Sequence, residues 1–166
     1  MSTTTRSSEP TVSYFTFLPT LMEEQAATDR GVVDDTPNGH LTPGAPRRVL
    51  VVDDSLLMRS AATVGLGRVP GWQVATAASG RDGVELAASY RPDAILLDVV
   101  MPELDGPATL RALREQAATH DMPVVFLTAD AGEPADLVAL GAAGVIAKPF
   151  KPEDLAEQLS ELLGWT

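Results

Sequence analysis

Several short apolar runs in this chain end in aspartate, threonine or lysine, and together those polar groups could handle a phosphoryl group. The runs read Val51-Val52-Asp53-Asp54, Leu96-Leu97-Asp98, Phe126-Leu127-Thr128 and Ile146-Ala147-Lys148-Pro149. Each has strand length, so in a parallel sheet the polar residues emerge at one edge. Carboxylates that converge there raise one another's pKa unless a cation intervenes. Hard oxygen ligands with room for water suit Mg²⁺, or Mn²⁺, rather than zinc. Three aspartates and one lysine sum to about −2, which a divalent ion brings to about zero. A carboxylate neutralised in this way can attack phosphorus. The Thr128 hydroxyl and the Lys148 ammonium would then stabilise charge spread over the transferring oxygens.

Plainer roles exist for each residue. Asp53, Asp54 or Ser55 could cap the following helix. Asp98 could be a polar strand end, Thr128 a loop hydroxyl tied to backbone, and Lys148 a solvated lysine. Two features favour a shared site. The chain has ten arginines but only two lysines, so a lysine directly before proline at a strand end stands out. All four features also fall at the same predicted edge, in different units.

The elements that must hold these groups follow from hydrophobic period. Val49 to Val52 is a continuous β-branched and aliphatic run, the mark of a strand buried on both faces. Ser55 to about Gly67 follows, with Leu56, Leu57, Ala61 and Val64 in a helical period. Strands are predicted at 72–77, 94–97, 123–127 and 143–147. Helices are predicted at 80–89, from Asp105-Gly106-Pro107 to about Gln116, at 133–140, and from Pro152 to about Leu163. Five βα units with short links imply an α/β fold, a doubly wound five-stranded parallel sheet with helices on both faces.

Composition sets further bounds. The chain has 166 residues, enough for one ordinary domain with a sizeable core. Its formal charge of −11 disfavours nucleic acid or an anionic membrane as main partner. There is no cysteine, which excludes disulfides and thiolate chemistry. No apolar run approaches the roughly 18–20 residues of a membrane span, and Tyr14 to Leu18 is too short for a signal-peptide core. A cytoplasmic location is the expectation. Residues 1–46, rich in Ser, Thr, Pro and acids, read as a disordered or loosely docked extension, and 47–166 as the folded domain.

The four polar run ends resemble the signatures of the receiver domain of bacterial response regulators, over about Arg47 to Leu163. The most specific stretch is Asp98-x-x-Met101-Pro102-x-x-Asp105-Gly106. The resemblance implies a flavodoxin-like (βα)5 fold with strand order 2-1-3-4-5. It implies Asp98 as phosphoacceptor, and Mg²⁺ held by Asp54, Asp98 and the backbone carbonyl of Val100, with Asp53 acting through metal-bound water. Thr128 and Lys148 would contact the phosphoryl oxygens, and the Lys148–Pro149 bond would be cis. The implied partners are a histidine kinase or histidine phosphotransfer protein, and a downstream protein at the face of the fourth helix, fifth strand and fifth helix. The chain reads as a stand-alone receiver rather than a turnover enzyme. One departure is Val145, three residues before Lys148, where the family often has the aromatic ring that switches inward.

Two rival readings remain. One is an aspartate-nucleophile phosphatase of the haloacid-dehalogenase type, which would place its carboxylates as Asp-x-Asp, whereas Asp53 and Asp54 are adjacent. The other is a receiver-like binding module whose phosphorylation site is unused. Deleting residues 1–46 is expected to leave phosphorylation of Asp98 intact in an intact-mass assay; its loss would make the extension part of the domain.

Overall fold

The computed structural model describes residues 46–129 and 134–165. The predicted extension at 1–46 lies outside the described residues apart from Pro46, as do Glu133, the expected start of the fourth helix, and Asp130. The elements in chain order are β1 (Arg48–Val52), α1 (Leu56–Leu66), β2 (Gln73–Ala77), α2 (Gly80–Tyr90), β3 (Ala94–Asp98), α3 (Gly106–Glu115), β4 (Val124–Thr128), α4 (Pro134–Ala139), β5 (Gly144–Ala147) and α5 (Leu155–Leu163). The five strands form one parallel sheet in the order β2-β1-β3-β4-β5. This is the flavodoxin-like topology expected from the resemblance. Among the described residues no helix is long and apolar enough to cross a membrane.

Strand alternation divides the core in two. Leu50, Val52, Ile95, Leu97, Val124 and Phe126 point to one face, where Val84 and Ala87 of α2 and Leu110 and Leu113 of α3 cover them. Val49, Val51, Leu96, Val125 and Leu127 point to the other, against Ala62 and Leu66 of α1 and Leu155 and Leu159 of α5. β3 and β4 are buried along their whole lengths, as expected for central strands covered on both sides.

Two helices differ from their sequence outline. In α1 the buried residues are Ala62, Gly65 and Leu66, whereas Leu56, Leu57 and Val64 are 70%, 73% and 56% exposed. Small residues face inward because α1 lies close to the chain before α5: a Cβ on Gly65 would overlap the carbonyl of Pro152. The last helix begins at Leu155, not at Pro152. The segment before it forms a turn, with the Asp154 N–H donating to the Lys151 carbonyl at 3.1 Å, and that turn is what packs on Gly65.

The end of the sheet away from the Asp98 edge is closed by a cluster joining both ends of the domain. The guanidinium of buried Arg47 sits 4.5 Å from the ring centre of Trp165, which meets Trp72 edge-on at 5.5 Å. Cation–π and edge-to-face contacts of this kind add about 0.5–2 kcal/mol each.

Glycine-to-alanine exchange inside a helix normally gains up to about 1 kcal/mol. At Gly65 the overlap with backbone should reverse that sign. Gly65→Ala is expected to destabilise the domain by roughly 1–2 kcal/mol in urea unfolding; a gain would show that α1 and the Pro152 turn separate freely.

Candidate functional site

β1 and β3 are hydrogen-bonded neighbours, with Val52 opposite Leu97. The residues that follow therefore meet at the carboxyl edge of the sheet, at the point where strand order reverses and such folds bind ligands. One oxygen each from Asp53, Asp54 and Asp98 lies within 4.8 Å of the other two. Asp53 and Asp98 are buried, whereas Asp54 is exposed. The three carboxylates expected to converge do converge.

Local chemistry explains why they are free to do so. The cap of α1 is Ser55, whose hydroxyl oxygen accepts from the Met58 N–H at 3.4 Å. The aspartates are not needed for capping. Asp53 instead turns back: its Oδ1 accepts from the Ser55 N–H at 2.8 Å. Across the loop, Asp105 caps α3 by accepting from the Ala108 N–H at 2.8 Å. The second aspartate of the most specific stretch, Asp105, thus has a structural role. Gly106 completes that turn, since a Cβ there would strike the Asp98 carbonyl and the Phe126 ring.

Lys148 links the site across the chain. Its Nζ donates to Asp53 Oδ2 at 2.7 Å and to Asp98 Oδ1 at 3.0 Å. The cis peptide between Lys148 and Pro149 follows directly. Thr128, at the end of β4, is buried beside this edge, with Ala147 as its register partner in β5. Val100 is exposed. Val145 is half-buried against the α2–α3 side of the core, and Phe150 packs on the opposite side.

Burial pushes the Asp98 carboxyl above its ordinary pKa, against the pull of the Lys148 ammonium; the charge on Asp53 adds to the rise. Burial also works against a charged Lys148, but its hydrogen bonds to Asp53 and Asp98 prevail and hold its pKa above the usual lysine value. Burial thus outweighs the Lys148 contact at Asp98, whereas the two carboxylates outweigh burial at Lys148. A desolvated, more basic carboxylate with an ammonium at hydrogen-bonding distance is suited to nucleophilic attack once a cation offsets the neighbouring carboxylates. The donor set, three carboxylates with one open to solvent, fits a hard divalent ion.

Sequence reading missed one contributor: Arg59 donates to the backbone carbonyls of the acidic pair. Of the three caps considered for α1, Ser55 is the one used, and it relieves the aspartates of that role.

Comparison with known proteins follows the same lines. A family model described as the response regulator receiver domain matches residues 49–160. Response regulator MprA of Mycolicibacterium vanbaalenii is 39% identical over 120 residues, covering 71% of this chain and 51% of that protein. The chain spans about half the length of the curated relatives it matches first. Chemotaxis protein CheY4 of Vibrio cholerae is 35% identical, with a TM-score of 0.65, covering 71% of this chain and 99% of that one. The receiver domain of sensor histidine kinase PA1611 from Pseudomonas aeruginosa is 32% identical, with a TM-score of 0.63, over 72% of this chain and 99% of that one. Its structure has a magnesium ion coordinated in the active-site cleft.

The signs of the pKa shifts define a test. A folded-state pKa above the unfolded value means the folded protein holds the proton more tightly. The Asp98 contribution is therefore favourable below about pH 4 and is lost as pH rises through the folded pKa. For Lys148 the contribution is complete below about pH 10 and is lost above it. In metal-free buffer Asp98→Asn is expected to raise the Tm by a few degrees at pH 7. The gain should disappear below about pH 4, where the wild-type carboxyl is itself neutral. An equal gain at both pH values would mean that desolvation of the charge is not its source.

Proposed function

The chain belongs to the response regulator receiver family, and we propose that it acts as a phosphoryl-accepting switch in a two-component or phosphorelay system. The observation that carries this reading is the Asp53–Asp54–Asp98 cluster with Lys148 bonded to the prospective acceptor. Asp98 is the proposed nucleophile. One of its oxygens attacks phosphorus in a phosphohistidine of a histidine kinase or phosphotransfer protein. The P–N bond breaks, the imidazole leaves neutral after taking up a proton, and an acyl phosphate remains on Asp98.

Mg²⁺ is the proposed cofactor, with Mn²⁺ as a substitute, held by Asp54, Asp98 and the Val100 carbonyl, with Asp53 acting at one remove. Its bonds to Lys148 and Ser55 suit that indirect role. When bound, the ion supplies positive charge that offsets the crowded carboxylates and the incoming phosphoryl group. Lys148 and Thr128 contact the phosphoryl oxygens, and their reorientation toward them biases the domain between two conformers. The protein modifies itself and does not turn over a substrate.

The proposed partners are proteins. Leu56 and Leu57, in the first turn of α1 just after Asp54, and Val100, two residues past Asp98, are all exposed. They put apolar surface beside an acidic cleft, which suits a protein donor. Val138, Leu140 and Leu162 are exposed around α4 and α5, and the face they share with β5 is the proposed output surface. The chain's net charge of −11 disfavours direct binding of nucleic acid, and a cytoplasmic location suits the reading. The phosphatase alternative would need Asp53 as nucleophile, but that side chain is fully buried with both oxygens engaged.

With Mg²⁺ and acetyl phosphate the intact mass is expected to rise by one phosphoryl group, and Asp98→Ala should abolish the gain. Lys148→Arg keeps the charge, but a planar fork cannot sit as a point ammonium between two carboxylates. It should slow labelling by roughly tenfold or more. Equal labelling of the Asp98 variant would move the acceptor elsewhere.

A further inference from the structure

Arg59 holds the acidic loop through its backbone. Its Nη1 lies 2.7 Å from the carbonyl oxygen of Asp53 and 3.1 Å from that of Asp54. Both carbonyls precede the Ser55 cap, so they take no part in the hydrogen bonding of α1. One nitrogen with two hydrogens can serve both at once. Two successive peptide planes are thereby fixed, and with them the directions in which the two carboxylates leave the chain.

The position of this arginine is unusual on local grounds. It lies in α1 one turn after the cap, its own N–H donating to the Ser55 carbonyl at 3.0 Å. The positive end of the helix dipole favours acids there and disfavours cations by a few tenths of a kcal/mol or more. The first turn of α1 contains no acid. A cation is therefore present where helix stability alone would select against it, and its side-chain hydrogen bonds go to the two residues that carry the carboxylates.

We propose that Arg59 is a positioning residue for the divalent-cation site. It orients Asp53 and Asp54 toward Asp98 through their peptide groups and touches neither the ion nor the phosphoryl group. This rests on the reading of the carboxylate cluster as a Mg²⁺ site. It also makes a prediction opposite in sign to that of a simple charge effect. A guanidinium near a cation site repels the ion, so removing its charge alone would tighten Mg²⁺ binding. Loss of positioning would weaken it, as loss of outer-shell support typically does by 10–100-fold.

The test is calorimetric titration of Mg²⁺ into the full chain, with Tm measured in chelator for each variant. Arg59→Met, which keeps the aliphatic stem, is expected to bind Mg²⁺ about tenfold or more weakly than wild type. Wild-type or tighter affinity in the folded variant overturns the proposal. So does a lowered Tm without a change in affinity, since that is what a purely structural arginine gives. Should Arg59→Met fail to fold, Arg59→Lys decides at constant charge. Affinity several-fold below wild type supports positioning, and unchanged affinity overturns it. Absence of Mg²⁺ binding by the wild-type protein would overturn both this inference and the site reading beneath it. Normal wild-type binding with an unaltered variant overturns this inference alone.

Discussion

The crowding of three carboxylates within 4.8 Å, two of them buried, against a single half-buried ammonium is the constraint on which the rest depends. Such an arrangement is electrostatically unsatisfied by about two charges beyond what Lys148 offsets. Left to itself the chain would spread these groups into water. They stay together because each is fixed by a rigid strand end or by a hydrogen bond to backbone. Stability is therefore spent at this edge and recovered in the two apolar layers behind it, a division common to sites that bind ions.

The fold fixes the cluster by parallel register. β1 and β3 lie side by side at the strand-order reversal, so their polar ends cannot avoid each other. The loops then refine the geometry. Ser55 takes the helix cap, Asp105 caps α3, and Gly106 allows α3 to start against the Asp98 carbonyl. Each device is modest, roughly 1 kcal/mol for a cap, yet each also releases or aims a carboxylate. At the other end, Arg47, Trp72 and Trp165 bring the first and last described parts of the domain together, which keeps that closure away from the reactive edge.

The surface has a different logic. α1 meets the sheet through Ala62, Gly65 and Leu66 and leaves its larger apolar residues outside. Close backbone packing at Gly65 makes small residues the inward choice, so Leu56, Leu57 and Val64 are available for a partner. Val145, where an aromatic ring often switches in this family, is half-buried and aliphatic. A side chain without a polar tip has little reason to exchange between core and solvent.

Much of this was legible in order along the chain. The apolar runs of strand length, the alternation with helical period and the polar residues at run ends were enough to imply a five-stranded parallel sheet with Asp53, Asp54, Asp98, Thr128 and Lys148 at one edge, because strand direction and side-chain alternation are local properties; the strand order came from the family resemblance. Helix boundaries at 152–155 and the inward face of α1 were not legible, since periodicity shows that a face exists and not which neighbour it meets. The bond from Lys148 to a residue 95 positions away, and the hold of Arg59 on two carbonyls, exist only after packing has brought the elements together. Sequence determined which groups arrive at the site; tertiary structure decided which of them bear on one another, because hydrogen-bond partners are chosen by distances that only the folded chain defines.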